Sequence, residues 1–285
     1  MNKPAPAMIG PGQWQTLGPL LTPALGRLLH VMETPSATLR HAFYEAGAEV
    51  GWHEHQAASL VYGVGGPCLE READGGECVK RRFSYHPVGY AHSLAYQAPT
   101  HVLAIELADK VAEPLPSESR RLPATLYNQL WSLFVGLSRN GSDRAAQAGL
   151  QALVSDVIAY LEAPLHPRMA ALLENVHADW DRPIEPARTA QIFGVSPQLI
   201  RRQFKRSLGV NLSEYRRLIQ LDYARALLWG SRARVAEVAA QAAFADQSHL
   251  CRVLRENTNI SPLELRRAAP CLAEAFEQWV IQPID

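Results

Sequence analysis

Thr189-Ala-Gln-Ile-Phe-Gly-Val-Ser-Pro-Gln-Leu-Ile-Arg-Arg-Gln-Phe204 sets the class of the C-terminal half. A short apolar-periodic run ends at Gly194, where a helix end needs a left-handed residue. Ser196 then offers a capping hydroxyl, and Pro197 takes the first helical position, where a missing N–H costs nothing. Leu199, Ile200 and Phe204 resume the apolar spacing of a helix. The stretch predicts a short helix, a tight turn and a capped second helix over 197–208.

Further along, Val235-Ala-Glu-Val-Ala-Ala-Gln-Ala-Ala-Phe-Ala-Asp-Gln-Ser-His-Leu250 repeats the device with a weaker turn. Asp246 is the residue placed to cap its second helix, predicted over 247–258. Between the two units, Ser213 to Trp229 reads as one helix. Its apolar positions Tyr215, Leu218, Ile219, Ala226 and Leu227 recur near one face, making a rod that holds the units at fixed separation. Shorter helices are expected at 168–180, 187–193, 235–242 and 262–268, the last opened by Ser261-Pro262 as a second cap of the same kind. A final amphipathic piece is expected near 271–281.

The chain of 285 residues is too long for one ordinary core and comfortable for two domains. Its hydrophobic share of 47% excludes wholesale disorder. No stretch approaches the roughly 18–20 uninterrupted apolar residues of a membrane-spanning helix. The start, MNKPAPAMIGPGQW, lacks the apolar core of a secretory signal. Cys68, Cys78, Cys251 and Cys271 are scattered and form no C-x-x-C pair, so a reduced, cytoplasmic protein is expected. Net charge is zero, but residues 1–165 hold 12 Lys+Arg against 15 Asp+Glu, whereas 166–270 hold 16 against 10. A basic block in which all but Lys205 are arginines, behind an acidic one, is the footprint of polyanion binding.

The first half reads as β. Ala37–Tyr44, Ser59–Val64, Val79–Tyr85 and His101–Leu107 are rich in β-branched and aromatic residues and are separated by Gly and Pro clusters, the spacing of a sandwich or barrel. Glu113-Pro-Leu-Pro-Ser-Glu-Ser119 reads as a linker. Beyond it, Leu126–Leu137 and Ala145–Leu161 carry helical apolar spacing, with Asp143 as a start signal. The stripe of Leu126, Leu130, Leu133, Phe134, Leu137, Leu150, Leu153, Val157 and Leu161 is either the inside of a helix hairpin or a surface for self-association.

With these residues in place, the segment from about 168 to 267 resembles the DNA-binding domain of the AraC family of bacterial transcription regulators. The resemblance is carried by Gly194-Val195-Ser196-Pro197, Arg202, Phe204-Lys205, Gly209, Tyr215, Ala224–Leu228, Val235–Ala239, Phe244, Asp246–His249, Arg252 and Ser261-Pro262. It implies that both second helices enter successive major grooves of double-stranded DNA. Gln198, Arg201 and Arg202 would read bases from the first, and Gln247, Ser248 and Arg252 from the second, since Gln pairs bidentately with adenine and Arg with guanine. Lys205, Arg206, Arg216, Arg217 and Arg255 are assigned to phosphates. In the second unit Ala243 replaces the family's glycine, Leu250, Leu254 and Leu265 replace aromatics, and Asn259 replaces a terminal glycine. The first unit is therefore expected to carry most of the specificity.

In the first half, Gly47 followed by His53-Glu54-His55, and Pro87-Val88-Gly89-Tyr90-Ala91-His92, resemble the two motifs of the cupin barrel. Alternation along a strand puts 53 and 55 on one face. With His92 they would form a three-nitrogen site suited to Zn, Ni, Fe or Cu. The motif's glutamate is replaced by Ser59 or Leu60, and its closing Asn by Tyr96. Trp52, Tyr62 and Tyr90 are candidates to line the pocket. The expected architecture is α+β and multidomain: a cupin-like barrel over 1–112, a linker and helical hairpin over 113–165, a double helix-turn-helix domain over 166–270 and a terminal helix over 271–285. The expected function is a sequence-specific, effector-responsive transcription regulator, acting as a homodimer on DNA with a small-molecule or metal effector. The alternatives are a metal-dependent cupin enzyme with a helical appendage and a constitutive DNA-binding protein.

Overall fold

The computed structural model describes residues 26–66, 68–73, 75–79, 83–112, 115–163, 165–181, 190–191 and 193–269. The N-terminal half is built from strands β1 (Arg27–Glu33), β2 (Ala37–Tyr44), β3 (Glu49–Glu54), β4 (Ser59–Gly65), β5 (Cys68–Glu72), β6 (Glu77–Val79), β7 (Phe83–His86), β8 (Ala91–Tyr96) and β9 (Thr100–Leu107), with a two-residue β10 (Arg120–Arg121). They form two antiparallel sheets, ordered β1-β2-β9-β4-β7-β10 and β3-β8-β5-β6. Four of these strands answer the β-rich runs of the sequence. The others, with Gly51 and Trp52 in β3 and a charged Leu-Glu-Arg-Glu in β5, lack the apolar alternation that marks a half-buried strand and are held by pairing to their neighbours.

Alternation along each strand sorts the core. On β4, Val61 joins Ala42, Tyr44, Val50, Cys68, Leu94, Tyr96 and Val102 in a cluster between the sheets. Leu60, Tyr62 and Val64 face the other way and join a second, larger cluster that continues without a break into the helices. Helix α1 (Asp109–Ala112) closes the sheets, and helices α2 (Tyr127–Asn140) and α3 (Arg144–Glu162) pack over the outer face. Asp143 caps α3 as expected, its carboxylate accepting from the Ala146 N–H at 2.8 Å. All nine residues of the apolar stripe on this hairpin are buried within the chain. Within the chain the stripe is thus an internal seam, covered by the six-stranded sheet and the C-terminal helices, the first of its two readings.

The C-terminal half comprises α4 (Pro167–Ala178), α5 (Pro197–Leu208), α6 (Leu212–Gly230), α7 (Val235–Gln241), α8 (Gln247–Thr258) and α9 (Pro262–Ala268). The expected helix at 187–193 lies largely outside the described residues, with Ala190 and Gln191 helical. The one expected at 271–281 lies wholly outside them. The caps act as the sequence predicts. Ser196 accepts from the Leu199 N–H, Asp246 from the His249 N–H and Ser261 from the Glu264 N–H. Gly194 and Gly209 take left-handed φ values of 61° and 71°. Asn211 and Glu214 add a reciprocal capping box at the start of α6. Among the described residues no helix is long and apolar enough to cross a membrane.

Candidate DNA-binding face and imidazole cluster

Helices α5 and α8 are each apolar on one side and polar on the other. Ile200, Phe204 and Leu208 anchor α5, and Leu250, Val253 and Leu254 anchor α8. The opposite face of α5 presents Gln198, Arg201, Arg202 and Lys205 at spacings of three and four residues, all exposed, with Arg206 beside them. On α8 the corresponding exposed residues are Gln247, Ser248, Arg252 and Arg255. Arg252 also pairs with Glu256 at 3.0 Å, one turn on. Arg217 on α6 is exposed. Arg216 departs from expectation. Its Nε donates to the Trp180 carbonyl at 2.8 Å and its Nη2 to the Asp181 carbonyl at 3.1 Å, so it ties down the end of α4 instead of offering its fork to a phosphate. Burial lowers its pKa, with Asp181 opposing.

Both units hang on α6, which is buried along most of its length. The turn of the second unit is left-handed at Ala243, with φ 55°, and Asn259 ends α8 at φ 54°. Both are backbone conformations that glycine adopts freely and a Cβ opposes.

The strand-rich half gathers a second group. His53 on β3 lies directly opposite His92 on β8, after a bulge between Val50 and His53. The His55 Nε2 and His92 Nε2 atoms are 3.0 Å apart. Ligand atoms of His53, His55 and His92 all fall within 4.8 Å of one another, the convergence expected from the motif. Two residues without any sequence assignment join them. Glu70, diagonally across from His92 on β5, accepts from its Nδ1, and His86 on β7 lies 3.8 Å from the same carboxylate. Sequence reasoning missed both because neither lies within a local spacing; a carboxylate on the same face as Cys68 was the only signal. Glu70 is 4% exposed and His86 fully buried.

The hydrogen bonds of this group define one consistent set of tautomers. With neutral rings, His92 Nδ1–H donates to Glu70 and its Nε2 accepts, so His55 Nε2–H donates to it. His55 Nδ1 then accepts the Ser59 hydroxyl at 2.8 Å. His53 Nδ1–H donates to the Gly51 carbonyl at 3.0 Å. Each Nδ1 thus has a partner outside the group, and the Nε2 atoms of His55 and His92 face each other. Ser59, standing where the motif has glutamate, serves as one of those outer partners.

Of the expected lining aromatics, Tyr90 is in place. Its ring lies 4.5 Å from that of His86 and 5.0 Å from that of His92, and its hydroxyl donates to Glu72 at 2.8 Å. Burial, with Glu70 and Glu72 nearby, raises its pKa. A surface cleft of about 300 Å³, lined by Glu72, Pro87, Val88 and Tyr90 among others, opens on its far side. Trp52 is half-buried next to His53. Tyr62 is a correction: even-numbered residues of β4 face the helices, and its hydroxyl bonds Asp222 of α6 instead of lining the barrel.

A family model described as a helix-turn-helix domain matches residues 189–268. The uncharacterized HTH-type transcriptional regulator YijO of Escherichia coli K12 is 35% identical over 104 residues, which are 35% of this chain and 37% of that protein. The HTH-type transcriptional activator RhaS of Escherichia coli O139:H28 is 32% identical over 102 residues, 35% of this chain and 34% of its own. The chain thus spans about a third of the length of these relatives. Among solved structures, ToxT from Vibrio cholerae is 13% identical over 82% of this chain and 99% of that one, with a TM-score of 0.37.

Proposed function

We propose that this chain, which carries the AraC-type helix-turn-helix domain over residues 189–268, is a DNA-binding transcription regulator whose barrel receives an effector. The observation that carries the reading is the pair of capped helices α5 and α8, each turning a row of Gln and Arg outward from a shared buried helix. Gln198, Arg201 and Arg202 read bases in one major groove and Gln247, Ser248 and Arg252 in the next. Lys205, Arg206, Arg217 and Arg255 hold phosphates. Two chains on paired half-sites form the active unit.

Arg202→Ala is expected to lose more than tenfold in affinity for a duplex selected by the wild-type protein from a random pool. Arg217→Ala should weaken all sequences alike and lower the salt slope by about 1. Full affinity in the Arg202 variant would sink the groove assignment.

A second observation bears on the effector. The three convergent imidazoles, each ring anchored through Nδ1, fit a borderline transition metal such as Zn, Ni, Cu or Fe held by His53, His55 and His92. With such an ion held there, the His55 proton would sit on Nδ1 and be donated to the Ser59 hydroxyl. Elemental analysis of untagged protein purified without chelator tests this. Near one metal per chain, absent from a His53→Ala/His55→Ala variant, is expected; metal-free wild-type protein would turn the search to organic effectors.

A further inference from the structure

The barrel and the DNA-binding half share a buried polar junction that neither motif accounts for. Asp222, at the middle of α6, is fully buried. Its carboxylate accepts from the Tyr62 hydroxyl of β4 and from Trp131 Nε1 of α2, the latter at 2.7 Å. One turn along α6, the buried Arg225 donates through Nη2 to Asn128 of α2 at 2.8 Å, and Asn128 Nδ2 donates to Asn257 of α8 at 3.1 Å. A carboxylate taken from water is tolerated only where donors replace the water, so Asp222 fixes where α6 can rest on the sheet.

Strand β4 links this junction to the imidazole group. Ser59, facing inward, bonds His55, and Tyr62, three residues on and facing outward, bonds Asp222. The strand lies between β9 and β7 near the centre of its sheet, hydrogen-bonded on both sides.

We infer that the Tyr62–Asp222 contact is the latch through which β4 sets the position of α6, and, through Arg225, Asn128 and Asn257, that of the second recognition helix α8. The inference rests on the reading of the barrel as a sensor and of α5 and α8 as the DNA-binding helices. The outward rows of both helices stay exposed in the latched state, so the latch does not mask the DNA face. It holds the two helices at one separation, and this preorganisation raises affinity for DNA. Asp222 and Tyr62 are thus positioning residues.

Hydrogen exchange and DNA binding on the full chain test the latch. Tyr62→Phe, which removes one hydroxyl, should leave barrel strands protected while exchange in both α6 and α8 accelerates. Affinity for the duplex selected by the wild-type protein should fall about fivefold or more, the lower end of ordinary coupling between sites. Asp222→Asn, which weakens the acceptor shared by Tyr62 and Trp131, should do the same, and the double variant should lose no more than the worse single one, because the Tyr62 contact is common to both. A folded Tyr62→Phe protein whose α8 exchange is unchanged, or single losses that multiply in the double variant, would overturn the latch. Should the wild-type protein bind no selected duplex, the DNA reading fails while the exchange arm still decides the latch. Should Asp222→Asn not fold, Tyr62→Phe decides it alone.

Discussion

Ala243 holds φ 55° in the turn between α7 and α8, a conformation that glycine adopts freely and a Cβ opposes. Gln220 of α6 braces it, Nε2 donating to the Ala243 carbonyl at 3.0 Å. Ala243→Gly should therefore stabilise the chain by about 1 kcal/mol, offset in part by the greater freedom of glycine when unfolded. A denaturant midpoint that falls in the variant would show that the turn is not strained. The same scale separates what single residues disclose. His53, His55 and His92 are legible because their spacing along the chain is the spacing of the motif. Arg216 is not, because nothing in its place along α6 announces that the carbonyls of Trp180 and Asp181 hold its guanidinium.

Helix boundaries were legible wherever a cap wrote them: α5, α8 and α9 begin and end where Ser196, Gly209, Asp246, Asn259 and Ser261 predict. Strands without apolar alternation were not, since their evidence is the neighbour across the sheet. One consequence of that pairing is a row of histidines. His30 and His41 face each other across β1 and β2, and His41 bonds His101 of β9 at 3.0 Å, beneath Phe134 of α2. Burial pulls the His41 pKa down to about 2, helped by the charges His101 and His30 would carry; burial, then Arg27, pulls His101 down to about 3. Both rings are neutral in the folded chain, so their packing contributes its full stability above the unfolded value near 6.5. Below it the unfolded chain binds protons that the folded chain refuses. Stability should then fall by up to about 1.4 kcal/mol per pH unit for each ring until the pH approaches the folded values. Denaturant midpoints between pH 7 and 4 measure the slope, and His101→Phe should roughly halve it. An unchanged slope would assign the acid lability to other groups.

Across the whole molecule, the larger apolar cluster runs from β2 through the hairpin into α6, α8 and α9, so the barrel and the DNA-binding half are packed as neighbours rather than tethered by a linker. That packing resolves the two readings of the hairpin stripe in favour of an internal seam, and it creates the Tyr62–Asp222 junction on which signalling would depend. By itself the sequence determined the strand-rich first half and helical second half, the double helix-turn-helix grammar, the basic outward rows and the two histidine motifs. Each of these is written in neighbours three, four or two residues apart, the periods at which a helix or strand returns to the same face. Only the tertiary structure decided that Glu70 and Ser59 hold the histidine rings, that Tyr62 faces α6 instead of the barrel, and that Asp222 meets Trp131. Those contacts join segments far apart in the chain, and their energy comes from burying polar groups together, which no local period records.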